Sequence, residues 1–181
     1  SLLITLYENL RWKTISPQGF RDEMLAYLPN ESNSLLFSMA LSYLGDCQRI
    51  FPSDSRPLEQ ALWKIVTTNP VSQHRLQAFR LYRSIADSEE AVQRLYTLWQ
   101  ERKAPKDCAL SESDYIGLSY MLAMHLPEKA DKIIATQLSR IQNPDRKKEY
   151  QFISPSVSPR KAERDSVFAS LLIAGNRRVE P

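Results

Sequence analysis

The side chains that could do chemistry are few. There are two histidines, His74 and His125, and two cysteines, Cys47 and Cys108, in 181 residues. No HExxH places two imidazoles one helical turn apart around a metal with a glutamate beside them, so a helical zinc-peptidase site is not encoded here. No GxSxG, P-loop or GxGxxG occurs either. The cysteines lie far apart with no CxxC, which excludes a zinc finger or ribbon; both are expected to be free and buried. His74 is expected on a solvated polar helix face. His125 is expected to cap the last carbonyls of an apolar helix. Glu89 and Glu90 fall in a first helical turn, where they complement the helix dipole. No self-contained active site emerges from these residues.

Cations are denser near the C-terminus. Arg140, Arg146, Lys147, Lys148, Arg160, Lys161 and Arg164 face three acids, Asp145, Glu149 and Glu163, a local excess of four. Such a stretch is either a solvated face with paired charges or a patch that meets an anion. Few aromatics interleave with it, which disfavours stacking of single-stranded nucleic acid. Trp12, Trp63 and Trp99 lie on or beside apolar stripes and are expected in the core.

The elements that position these residues read as helices throughout. The chain holds 24 Lys and Arg against 21 Asp and Glu, a net charge of +3, so a strongly basic nucleic-acid face is not its bulk signature. It has 23 Leu but only 6 Val, 6 Thr and 4 Gly. That balance favours helix over strand and leaves little glycine for tight hairpins or phosphate loops. No apolar run reaches the ~18 residues of a membrane-spanning helix. The N-terminus lacks Met and a basic leader, and both ends read as cut from a longer chain.

Apolar residues recur at helical spacing in about ten segments. Leu2 to Leu10 form the first. Ser16-Pro17 starts a second, with serine as cap and proline in the first turn. The third carries Leu35 to Leu44, with Gly45 expected to stop it. Leu58 to Val66 and Leu76 to Ala86 follow. Asp87 with Glu90, and Ser111 with Asp114, read as capping boxes. Tyr115 to Leu126 is apolar nearly all round and is expected to be the most buried. Pro127 is expected to begin a helix that Asn143-Pro144 ends. Lys147 to Ile153 makes a short one. Ser158-Pro159 is expected to open the last, with Val167, Phe168, Leu171 and Leu172 inward and Gly175-Asn176 as its end. No segment alternates at period two. The expected fold is all-α without a sheet: stacked helical hairpins in an irregular, HEAT-like α–α superhelix. Residues 1–181 are expected to form one helical-repeat domain, a fragment of a longer multidomain chain.

The most distinctive stretches are Lys147-Lys148-Glu149-Tyr150-Gln151-Phe152-Ile153-Ser154-Pro155-Ser156, then Arg164-Asp165-Ser166-Val167-Phe168-Ala169-Ser170-Leu171, then Asn176-Arg177-Arg178-Val179-Glu180-Pro181. Together they resemble the C-terminal helical domain of the gluzincin, aminopeptidase-N-like zinc aminopeptidases. In that family a Phe-Ile-Ser-Pro-type connector, an Arg-Asp before an aromatic helix and an Asn-Arg-x-x-Glu-Pro ending recur in this order. Leu6-Tyr7-Glu8-Asn9 and Glu31-Ser32-Asn33-Ser34-Leu35-Leu36 resemble the early part of the same domain. The resemblance covers nearly the whole chain through short motifs.

The resemblance implies a zinc metallo-aminopeptidase as the parent. Its zinc, HExxH helix and catalytic tyrosine would lie in preceding domains, so no catalytic or metal residue maps here and the fragment alone is inactive. The domain would close over the zinc domain and wall off a chamber that admits peptides. Its partners would be those preceding catalytic domains and the peptide substrate, not nucleic acid. Arg164 and Arg177 are the candidate substrate-binding residues, since a guanidinium fork suits a peptide carboxylate. The alternative is a free-standing helical-repeat scaffold for protein–protein contacts.

Overall fold

A computed structural model describes residues 2–173 and 175. Among these residues the chain is entirely helical, with no strand. The helices are α1 (Leu2–Arg11), α2 (Pro17–Tyr27), α3 (Ser34–Ile50), α4 (Arg56–Thr68), α5 (Ser72–Ile85), α6 (Glu89–Glu101), α7 (Glu112–His125), α8 (Ala130–Arg140), α9 (Pro144–Ile153) and α10 (Lys161–Ser170), with short 3-10 turns at Leu28–Asn30, Pro127–Lys129 and Ser154–Val157. The chain divides into two compact units, Ser1–Leu110 and Ser111–Pro181.

The helices begin where polar side chains can take their unpaired N–H groups. Ser16 Oγ accepts from the Gly19 amide at 3.0 Å. Asn33 Oδ1 accepts from Leu35 and Leu36 at 2.9 and 3.2 Å. At α7, Ser111 Oγ takes the Asp114 amide at 3.2 Å while Asp114 Oδ2 takes the Ser111 amide at 3.0 Å, the reciprocal capping box expected there. Several starts differ from expectation, among them those of α6 and α9. Ser88, not Asp87, caps α6, through the Ala91 amide at 3.2 Å. Asn143, expected to end a helix, instead caps α9 through the Asp145 and Arg146 amides, each at 3.0 Å.

In the first unit α5 is central and packs on both α3 and α4. Phe20, Met24, Phe37, Leu44, Leu62, Phe79, Tyr82 and Leu95 are fully enclosed. Gly45 does not stop α3, which runs five residues further to Ile50. A Cβ there would come 3.0 Å from Leu81 Cδ1 of α5, so the missing side chain allows the two helices to approach. The cysteines are free and buried. Burial pushes the Cys47 thiol above its usual range, against the nearby Arg21 guanidinium. Trp99 is buried as expected, but Trp12 is 77% exposed just past the end of α1.

Burial also corrects His74, which is fully enclosed rather than solvated. Its ring stacks on Phe37 of α3 with centroids 4.0 Å apart and planes 4° apart.

In the second unit α7 pairs with α8, and α9 and α10 flank the 3-10 turn at 154–157. Leu118, Leu122, Ile133 and Tyr150 are buried, and Ser119 Oγ lies 2.9 Å from Tyr150 OH. Tyr120 stacks on Tyr150 at 5.0 Å, and burial raises the Tyr150 hydroxyl to about 12. The last helix differs from expectation. It starts at Lys161, ends at Ser170 and buries no side chain; Phe168 is 70% exposed, and Leu172, just past its end, is 72% exposed. Asn176, expected at its end, lies outside the described residues.

A buried carboxylate ties the first unit together. Glu59 of α4 is 4% exposed. Its Oε1 accepts from Ser55 Oγ at 2.8 Å, the Asp87 amide at 2.8 Å and the Ser88 amide at 3.1 Å, and its Oε2 accepts from Ser88 Oγ. Replacing Glu59 with Ala removes the acceptor of four donors at once. The expected loss is about 3 kcal/mol in urea unfolding. A loss under about 1 kcal/mol would show that water replaces the carboxylate.

Candidate functional site

Arg164 lies on the second turn of α10, and its position depends on the turn before it. Ser158 Oγ accepts from the Arg160 amide at 3.1 Å, which turns the chain into the helix. Arg160 then grips Asp131 of α8 with both terminal nitrogens, at 2.8 and 2.9 Å. Its Nε also donates to Glu163 Oε1 at 2.5 Å. Hydrogen bonds from this guanidinium hold Asp131 and Glu163 below the usual carboxylate range and raise Arg160 itself. α10 is thereby fixed to α8 by a planar fork between two carboxylates.

With α10 fixed, Arg164 Nη1 donates to the Ser158 carbonyl at 2.7 Å. The guanidinium borders a hollow of about 280 Å³ whose wall includes Met124, Pro127, Val157 and Pro159. One of its nitrogens is thus committed to the backbone, in a mostly apolar setting open to solvent. Arg177, the other candidate, lies outside the described residues, so the structure does not bring the two together.

The remaining cations of this stretch are largely paired. Arg146 meets Glu112 at 3.4 Å, and the same carboxylate accepts from the Gln142 amide at 2.8 Å. Lys161 meets Asp165 at 2.6 Å. Lys147 and Lys148 are exposed. Of the counted cations, Arg146, Arg160 and Lys161 are thus ion-paired, Arg164 is bound to a backbone carbonyl, and Lys147 and Lys148 face solvent.

Two constellations were missed by residue-type reasoning. The first is the Glu59 cluster, which floors a hollow of about 520 Å³ between the starts of α4 and α6. Burial pushes the Glu59 carboxyl up, but hydrogen bonds from Ser88, the Asp87 and Ser88 amides and Ser55 outweigh it and leave the group below its ordinary value. At the rim Arg94 sits 4.7 Å over the Trp63 ring and donates to Tyr82 OH at 2.8 Å and to Glu90 at 2.5 Å. The available sequence signal was Glu59 itself, a charge set among Leu58, Leu62 and Val66. The second constellation is a serine–imidazole pair, with Ser34 Oγ 3.1 Å from His74 Nε2. A nucleophile and a base are adjacent here, but the ring is sealed and its Nδ1 lacks the acid that would orient it, so the pair is a packing contact. Among the described residues no group of three or more His, Cys, Asp or Glu is placed to hold a metal ion, and no helix is long and apolar enough to cross a membrane.

The fork at Arg160 is exposed, so its contribution is expected to be screened. Arg160→Ala should lower the thermal midpoint at low salt and have little effect at about 1 M salt, where the Debye length is about 3 Å. An equal loss in both conditions would identify packing rather than charge as its role. Comparisons of the chain with protein-family models, with curated proteins and with solved structures gave no match.

Proposed function

We propose that this chain is the C-terminal helical domain of a zinc-dependent aminopeptidase of the gluzincin kind. In this reading it closes the peptide chamber and helps to position the substrate. The zinc and the catalytic residues belong to preceding domains. The carrying observation is the order of three sequence blocks: Phe152-Ile153-Ser154-Pro155, then Arg164-Asp165 leading into Phe168, then Asn176 to Pro181. The all-α fold supports the reading, as does the placement of the first block across the end of α9 and the 3-10 turn after it, and of the second on α10. The HEAT-like stacking of hairpins into a superhelix belongs to the same proposal.

The work of such a domain is gating. Closure would exclude water and fix the far end of the peptide while remote chemistry proceeds. Arg164 is suited to the far carboxylate because one nitrogen is anchored to the Ser158 carbonyl, which orients the rest of the fork. A free-standing scaffold is the second reading. It is favoured by the exposed apolar side chains of Phe168 on α10 and Leu172 just beyond it, which invite contact with another polypeptide.

The decisive measurement uses the full-length parent. Its coding sequence should contain HExxH upstream of Leu2; its absence would leave the scaffold reading. In that parent, Arg164→Ala should raise KM for long peptides about tenfold more than for dipeptides, the equivalent of ~1.4 kcal/mol of lost carboxylate binding. Equal effects on both lengths would make Arg164 purely structural.

A further inference from the structure

His74 is the third residue of α5, and its ring joins two helix beginnings. Nε2 meets Ser34 Oγ in the first turn of α3, and one ring face lies flat on Phe37 one turn later. Nδ1 is enclosed and has no hydrogen-bond partner. One turn along α5, Gln77 Oε1 is likewise enclosed without a donor. A neutral imidazole fits this slot at the cost of one unpaired nitrogen. An imidazolium fits it poorly, because both nitrogens then carry N–H, only Nε2 has a partner in the structure, and the enclosed ring has no water to solvate the charge. It would also place a positive charge in the first turn of α5, where the helix dipole is already positive.

The surrounding charges do not rescue it. Glu31, in the turn before α3, is the charged group that acts on the ring in favour of the cation. Its carboxylate is already engaged by the Asn33 amide at 2.6 Å and by Tyr27 OH. From α3 the contacts are Ser34 and Phe37, both uncharged. Arg75, the next residue on α5, directs its guanidinium to the carbonyls of Asn69 and Lys106 and to Asp107. α4, the other helix packed on α5, contributes no charge that acts on the ring.

We propose that His74 is an acid-sensitive latch of the first unit, closed while its imidazole is neutral and opened by protonation, which expels the ring and parts the beginning of α3 from α5. Burial holds the folded group below its usual 6.5. The open form therefore takes up the proton first. The latch is fully closed above pH 6.5 and weakens as pH falls below it, with the open fraction rising about tenfold per pH unit until the depressed folded value is reached. Glu59 responds in a lower window. Its folded carboxyl lies below 4.5, so its contribution is complete above pH 4.5 and is lost as pH falls below that. Between pH 6.5 and 4.5 the two effects separate.

The test is proton NMR of the whole chain, whose two histidines make the Cε1–H signals easy to assign, with amide exchange read in parallel. On acidification from pH 7 to 5, His74 should keep a neutral-ring signal that loses intensity to a second, charged one. Amide protection in α3 and α5, corrected for intrinsic rates, should fall about tenfold per pH unit while that of α7 and α8 holds. His74→Gln, which can still bond Ser34 but cannot charge, should give a flat profile across this window. Overturning results are a single fast-exchanging His74 signal titrating near 6.5 with protection unchanged, or acid-dependent opening that survives in His74→Gln. If His74→Gln fails to fold, the wild-type signals and exchange profile decide alone.

Discussion

The first unit depends on a buried carboxylate whose hydrogen bonds come from uncharged donors. Glu59 enters the interior from α4 and is neutralised by geometry, with two hydroxyls and two backbone amides converging on its oxygens. A buried carboxylate is stable only when its lone pairs are filled. Filling them fixes the beginning of α4 through Ser55 and the turn before α6 through Asp87 and Ser88. With both ends set, α5 must cross between them, and its two faces meet α3 and α4. The enclosure of Tyr82, and of His74 at the other end of α5, follows from that placement. A single acidic side chain thus ties the beginning of α4 to the turn before α6.

What the sequence made legible was local. Ser16-Pro17 and Ser111 with Asp114 were readable because a cap and its amide lie within one turn. The α6 start was misplaced by one residue because Asp87 and Ser88 are both good caps. The choice between them is made by Glu59, 28 positions away, which takes the Asp87 amide as well. Gly45 reads as a stop in isolation, yet its lack of a side chain serves contact with Leu81. His74 sits in the polar run Ser72-Gln73-His74-Arg75, and nothing there announces that Phe37 will cover it. Long-range contacts decided each of these positions, and periodicity carries no long-range information.

The candidate site shows the same division. A count of charges from Arg140 to Arg164 suggests a cationic face. Two partners that offset part of it, Asp131 and Glu112, lie on α8 and α7, outside the counted stretch. Only the fold reveals that Arg160 is a fastener and that Arg164 is anchored on one side. Arg164 entered as a candidate through resemblance, and the bond to Ser158 is what gives that candidacy a geometry.

α10 makes the energetic argument for a larger assembly around this chain. Isolated helices of ten residues are marginal in water, and their stability normally comes from burying a face. α10 buries none, and its attachments include the Arg160 fork, the Arg164 bond to the Ser158 carbonyl and the contacts of the 154–157 turn. Exposed ion pairs contribute little to stability, and a single backbone bond adds only modestly. Val167, Phe168, Leu171 and Leu172 nevertheless follow the spacing of an amphipathic face, and burying Phe168 and Leu172 would supply roughly 1.5 to 3 kcal/mol each. A chamber-closing domain would meet that requirement by resting this face against the polypeptide it closes on, whereas a scaffold would reserve it for a partner. In either case the polar fasteners set the angle of α10, and covering its apolar side chains would add to its stability.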